Sequence, residues 1–152
     1  MKRDSKGGFT LVELIVVIGF LGLLFSIVLP RIDKSPYILL YSAKTLRDDI
    51  RCIRYTAMTE NPGARIVLDK YSYKILNGTK IVSTVNLNNG FYIKQNFSRS
   101  SIAFDYKGTP VHGGGTVSIV DENSKKYCEI TVVPDTGRIL MKDTILKGYN
   151  SK

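Results

Sequence analysis

The chain has 152 residues, 43% hydrophobic and 23% charged, a globular composition that excludes wholesale disorder and collagen-like repeats. One His and two Cys leave no material for a zinc finger, an iron–sulfur centre or a small disulfide scaffold. The formal net charge is +9, from 22 Lys and Arg against 13 Asp and Glu, and the apolar residues are unevenly spread.

Met1–Gly8 is a short leader with Lys2, Arg3 and Lys6 against Asp4. Phe9–Leu29 follows, 21 residues with one charge, Glu13, and two hydroxyls, Thr10 and Ser26. As a helix it would span ~30 Å, about one bilayer hydrocarbon core. A basic leader stays in the cytoplasm, which places everything after Pro30 on the far side of the membrane. The apolar run is too long for a secretory signal, and Leu29-Pro30-Arg31-Ile32-Asp33 offers no small-residue cleavage site. A plain membrane anchor fits the length but leaves Glu13 unexplained, because a carboxylate inside a bilayer costs about 2.5–3.5 kcal/mol. Cutting the chain before Phe9 would create an amine four residues from Glu13, one helical turn away. Glu13 could then pair with its own N-terminus or with that of a staggered neighbour.

Gly8-Phe9-Thr10-Leu11-Val12-Glu13-Leu14 resembles the class III signal of type IV pilins and type II secretion pseudopilins. The resemblance implies that a prepilin peptidase cuts between Gly8 and Phe9 and methylates the new Phe9 amine. It implies that Glu13 pairs with a neighbouring subunit's N-terminus during assembly, on an inner-membrane platform and with other pilin or pseudopilin subunits. Pro30 matches the helix-loosening proline of many family members.

Pro30 and Pro36 bracket a polar stretch, which predicts a kink or an unwound turn there. Over 37–60, Leu39, Ala43, Leu46, Ile50, Ile53 and Ala57 recur at alternating spacings of four and three, one face of an amphipathic helix. Asn61-Pro62-Gly63 stops it. Strands are then predicted over 65–69, 71–76, 80–85, 91–97, 101–106, 116–121, 127–133 and 138–142, with a hairpin turn at Asn77-Gly78. No helix-length period separates them, so the sheet should be antiparallel and packed on the apolar helix stripe. The expected fold class is α+β: a long N-terminal helix with a transmembrane first half and an amphipathic second half, carrying an antiparallel head. Its parts are the leader 1–8, the membrane or filament-core helix 9–29 and the head 30–152.

Toward the C-terminus, Ile102-Ala103-Phe104-Asp105-Tyr106-Lys107-Gly108, Gly115–Ile119, Glu129–Val132 and Thr136-Gly137-Arg138-Ile139 are similar to the last strands of GspH/FimT-type minor pseudopilins. Some FimT-type pilins are associated with DNA binding through an Arg-rich terminal turn. Here that region offers Arg138 and Lys142 as candidate phosphate contacts, and Tyr71, Tyr73, Tyr92 and Tyr106 as rings that could stack on bases. Cys52 and Cys128 are the one candidate disulfide, chemically permitted outside the cytoplasm.

Catalytic material is thin. His112, the single histidine, lies in a glycine-rich loop that lacks the Gly-Lys-Ser/Thr ending of a phosphate loop and precedes a strand. No cofactor or metal site is expected, and the reading is a non-enzymatic subunit. It would wait in the cytoplasmic membrane with its head outside, then enter a surface or periplasmic filament. Two other classes stay open: a DNA- or surface-binding module on such a filament, and an anchored β domain that never polymerises.

Overall fold

In the computed structural model, residues 10–28, 35–60 and 63–149 are described. The chain divides into two units, Met1–Lys34 and Ser35–Lys152. The first contains α1, Leu11–Val28. Its side chains from Leu11 to Ile27 are exposed on every side. Among the described residues, no helix is long and apolar enough to cross a membrane. The 18 residues of α1 measure about 27 Å, and the expected span also drew on Phe9 and Leu29, outside the described residues. The kink expected at Pro30 also lies outside them.

The second unit opens with α2, Ser35–Thr59. Pro36 falls in its first turn, where a missing N–H costs nothing, so this proline opens the helix and does not interrupt it. The six buried residues of α2 are Leu39, Ala43, Leu46, Ile50, Ile53 and Ala57, the stripe read from the spacing.

The sequence predicts one antiparallel sheet; the head builds two. β1 (Ala64–Leu68), β2 (Ser72–Asn77), β3 (Lys80–Asn86) and β5 (Ser101–Ala103) form the first, in the order β3-β2-β1-β5. β4 (Phe91–Gln95), β6 (Gly115–Asp121), β7 (Lys126–Val132) and β8 (Ile139–Met141) form the second in that order, with β9 (Leu146–Lys147) on β7. All pairings are antiparallel. The split arises because β4 pairs with β6, and β5 returns to β1. One backbone bond ties the sheets near their boundary: the Ile93 N–H in β4 donates to the Lys70 carbonyl before β2 at 2.7 Å.

Local chemistry explains the strand ends. β5 stops at Ala103, short of the expected Tyr106, because Asp105 Oδ1 accepts the N–H groups of Lys107 and Thr109 at 2.9 and 2.8 Å. That closes a turn in which Gly108 takes φ +77°, and leaves Phe104 only an isolated bridge to Pro110. β4 stops at Gln95, whose side-chain carbonyl accepts the Phe97 N–H. The two-residue β9 has no hydrophobic alternation to announce it. Tyr149, just beyond, packs edge-on against Tyr127 at 5.0 Å, and the Lys94 ammonium sits 5.2 Å from its ring centre.

The core lies between α2 and the inner faces of both sheets. Ile66, Ile102 and Phe104 meet the helix from one sheet, and Val117, Ile119, Ile130 and Val132 from the other. All of them are essentially inaccessible to solvent.

Candidate functional site

Gly8, Phe9 and Pro30 lie outside the described residues; Glu13 does not. α1 begins with Thr10, whose Oγ1 accepts the Glu13 N–H at 3.3 Å and whose carbonyl accepts the Leu14 N–H at 3.2 Å. Thr10 therefore caps the helix, and Glu13 stands three residues on, at the acidic position of a capping box. The helix N-terminus favours a carboxylate there. Among the described residues the Glu13 carboxylate makes no ion pair and is exposed. Around it α1 presents large apolar side chains in all directions, from Leu11, 74% exposed, to Ile27, 55%. A helix apolar all round needs an apolar surrounding, whether lipid or other helices.

In the head, three polar fixtures hold α2 to the sheets. At its start, Ser35 Oγ donates to Asp121 Oδ2 at the end of β6. Asp121 is buried and also accepts from the Ser124 hydroxyl at 2.7 Å and the Asn123 N–H at 3.0 Å. Burial alone would raise its carboxyl, but the bonds from Ser35, Ser124 and Asn123 outweigh burial and hold it below the ordinary carboxylate value. Midway, the buried Tyr73 hydroxyl donates to Asp49 Oδ2 at 2.6 Å; burial and then this bond push the phenol far above its usual range. Near its end, Arg54 reaches two loops, donating from Nε to the Gly108 carbonyl and from Nη2 to the Thr136 carbonyl, both at 3.0 Å. Those loops touch: a Cβ on Gly137 would lie 1.9 Å from the Gly108 oxygen. None of these fixtures has a local sequence signal, since each joins residues at least 24 positions apart.

The candidate nucleic-acid residues are not brought together. Arg138 and Lys142 are exposed at opposite ends of β8, ~13 Å apart along an extended strand. Lys142 adjoins Asp143, which lies 3.6 Å from Lys44 and 3.7 Å from Arg47. Tyr73 is in the core and cannot stack on a base; Tyr71 and Tyr106 are exposed. Arg51, Arg54, Tyr55 and Met58 line a shallow pocket of about 130 Å³ with Ile139, beside Arg138.

Cys52 and Cys128 are free thiols, and the bond considered from the sequence is not made. Cys52 is exposed on α2, whereas Cys128 is buried in β7, and burial raises its thiol. The His112 carbonyl accepts the Ser98 hydroxyl at 3.1 Å. Among the described residues no group of three or more His, Cys, Asp or Glu is placed to hold a metal.

No protein-family signature matches the chain, and no curated protein matches it in sequence. Solved structures do match. The type IV minor pilin FimU of Pseudomonas aeruginosa superposes with a TM-score of 0.58 at 14% identity, over 72% of this chain and 91% of that one. The minor pseudopilin EpsH from the type II secretion system of Vibrio cholerae gives 0.55 at 15% identity, over 68% of this chain and 95% of that one. A second EpsH structure gives 0.54 at 10% identity, over 78% and 99%.

The fold is pilin-like. Within the pilin-like head, two of the four segments read from the sequence as pseudopilin-like, Ile102–Gly108 and Thr136–Ile139, supply the two carbonyls that Arg54 clasps. Their glycines, at φ +77° and +62°, allow the close approach.

Proposed function

We propose that this chain is a structural subunit of the minor pilin or pseudopilin kind, a substrate of a processing peptidase and itself no catalyst. The observation that carries the reading is α1: apolar on every side, capped by Thr10, with Glu13 alone charged in its first turn. The likeness of the head to FimU and EpsH supports it. In this reading the peptidase cuts between Gly8 and Phe9, the Phe9 amine is methylated, and α1 holds the subunit in the cytoplasmic membrane with the head outside. Glu13 penalises a lone subunit in lipid; a neighbour's Phe9 amine removes the penalty, so the same residue favours entry into a filament.

The test has two arms. Mass spectrometry of the native protein should find residues 1–8 removed and Phe9 methylated, and retention of the leader in cells with an active prepilin peptidase would refute the processing. Glu13→Ala should be cleaved and inserted normally yet incorporate poorly. Incorporation at the wild-type level would remove the pairing role.

A further inference from the structure

Asparagine is followed by glycine at two places, Asn77-Gly78 and Asn89-Gly90. Glycine has no Cβ to shield its own nitrogen, so in this pair the main-chain amide can reach the asparagine side chain before it. Both glycines have positive φ, +60° and +88°, and both asparagines are exposed. The fold nevertheless treats them differently. Asn77 ends β2, in register with Ala64 of β1 on one side and Lys80 of β3 on the other. The Gly78 N–H donates to the Gly63 carbonyl at 3.0 Å. Bringing that nitrogen onto the Asn77 side chain would rotate an extended backbone out of both ladders and break the bond. Asn89 has no ladder. It lies between β3 and β4, in a turn closed by the Phe91 N–H donating to the Asn88 carbonyl at 3.1 Å. Among the described residues the Gly90 N–H donates to no acceptor, and the Asn89 side chain makes no hydrogen bond. In Asn123-Ser124, where the following residue is also small, the Ser124 N–H is held by Asp121 Oδ1 at 3.3 Å.

We propose that Asn89 is a self-modification site, which the folded chain converts to isoaspartate with water as the only co-reactant, while the fold keeps Asn77 inert. Base takes the Gly90 amide proton, and the nitrogen attacks Asn89 Cγ. A new C–N bond closes a five-membered succinimide; the bond from Cγ to Nδ2 breaks, and ammonia leaves with a proton. Water then opens the ring. Cleavage at the main-chain carbonyl leaves Gly90 joined through Cγ, as isoaspartate; cleavage at Cγ leaves ordinary aspartate. Nothing is oxidised or reduced, and a neutral amide becomes a carboxylate. In isoaspartate the main chain is one carbon longer. That lengthened stretch adjoins the Asp121 turn, because the Glu122 N–H donates to the Gly90 carbonyl at 2.9 Å. The modification is independent of the function proposed above, and needs no partner.

Peptide mapping of the full-length protein in detergent tests it, after incubation at mildly alkaline pH. Tryptic peptides Ile75–Lys80 and Ile81–Lys94 separate the two pairs. In the folded protein the second should gain ~1 Da, as amide becomes acid, at least about tenfold faster than the first. In urea the two should react within about twofold of each other, because neither then has a ladder or a bonded glycine. Asn89→Gln should abolish the gain in Ile81–Lys94, since a glutamine must close a larger ring; this assigns the reaction to Asn89 and not to Asn86 or Asn88. Equal rates in the folded protein overturn the proposal, as does a gain that persists in Asn89→Gln. An Asn89 advantage of the same size in urea overturns it too, because the choice would then lie in the flanking residues and not in the fold.

Discussion

Asp121 concentrates several bonds on one buried carboxylate. Ser35, at the first residue of α2, and Ser124 and Asn123, in the turn after β6, all donate to it. They hold its folded-state pKa below the unfolded value despite burial. The sign follows by linkage: the stability contributed by the ionised form is fully present above the unfolded pKa and is lost as pH falls through it toward the folded one. Denaturant unfolding should therefore show a plateau near neutral pH and a decline below about pH 4, near the ordinary aspartate pKa. Asp121→Ala should cost about 2–3 kcal/mol at pH 7, because it strands several donors at once. Relative to wild type its deficit should shrink toward pH 3. A deficit that is constant across that range would mean the carboxylate's charge contributes nothing to holding α2.

At the scale of elements, the Arg54 clasp makes a sharper demand on the backbone than on the side chain. Arg54→Met keeps the aliphatic stem and removes two hydrogen bonds, an expected loss of about 1–2 kcal/mol. Gly137→Ala must leave a left-handed conformation, φ +62°, or drive a Cβ to 1.9 Å from the Gly108 carbonyl, a backbone atom that cannot swing away. It should cost more, about 3 kcal/mol or above. Urea denaturation of the two variants and their double mutant checks the order. The double should lose less than the sum, because parting the loops already breaks the bonds that Arg54 makes. The same comparison explains what could be read from the sequence. The α2 stripe was legible from Leu39 to Ala57, because a 3.6-residue period repeats locally. So were the hairpin at Asn77-Gly78 and the glycine turns, because their chemistry is written within a few residues. The split into two sheets was not, since it depends on whether β4 meets β3 or β6, and no local pattern encodes a partner. The clasp and the Asp121 fixture were hidden for the same reason. Pro36 was read as one bracket of a kink or unwound turn; it stands in the first turn of α2, where proline opens a helix, and most of the stretch before it lies outside the described residues.

The whole molecule divides its labour along the chain. Every buried hydrophobic residue from Leu39 to Ile139 belongs to the unit that begins at Ser35, and every described side chain of α1 is exposed. The buried core thus lies within the unit that begins at Ser35, and the large exposed apolar side chains of α1 lie within the other. A subunit built this way can be stored with its head already folded. Under the proposed function, the free energy of removing α1 from water goes to membrane or filament, not to folding. Residues 35–152 alone should therefore unfold in one cooperative step, with the same urea midpoint and slope as the head of the full-length protein in detergent. Slope matters as much as midpoint, because it reports the surface exposed on unfolding. A truncated head with a lower slope would be partly unfolded at the start, and one destabilised by more than about 1 kcal/mol would show that α1 supports the core, contrary to the burial pattern. Glu13→Ala should leave both quantities unchanged, since Glu13 is exposed and is not part of the buried core, and any defect in incorporation can then be assigned to assembly.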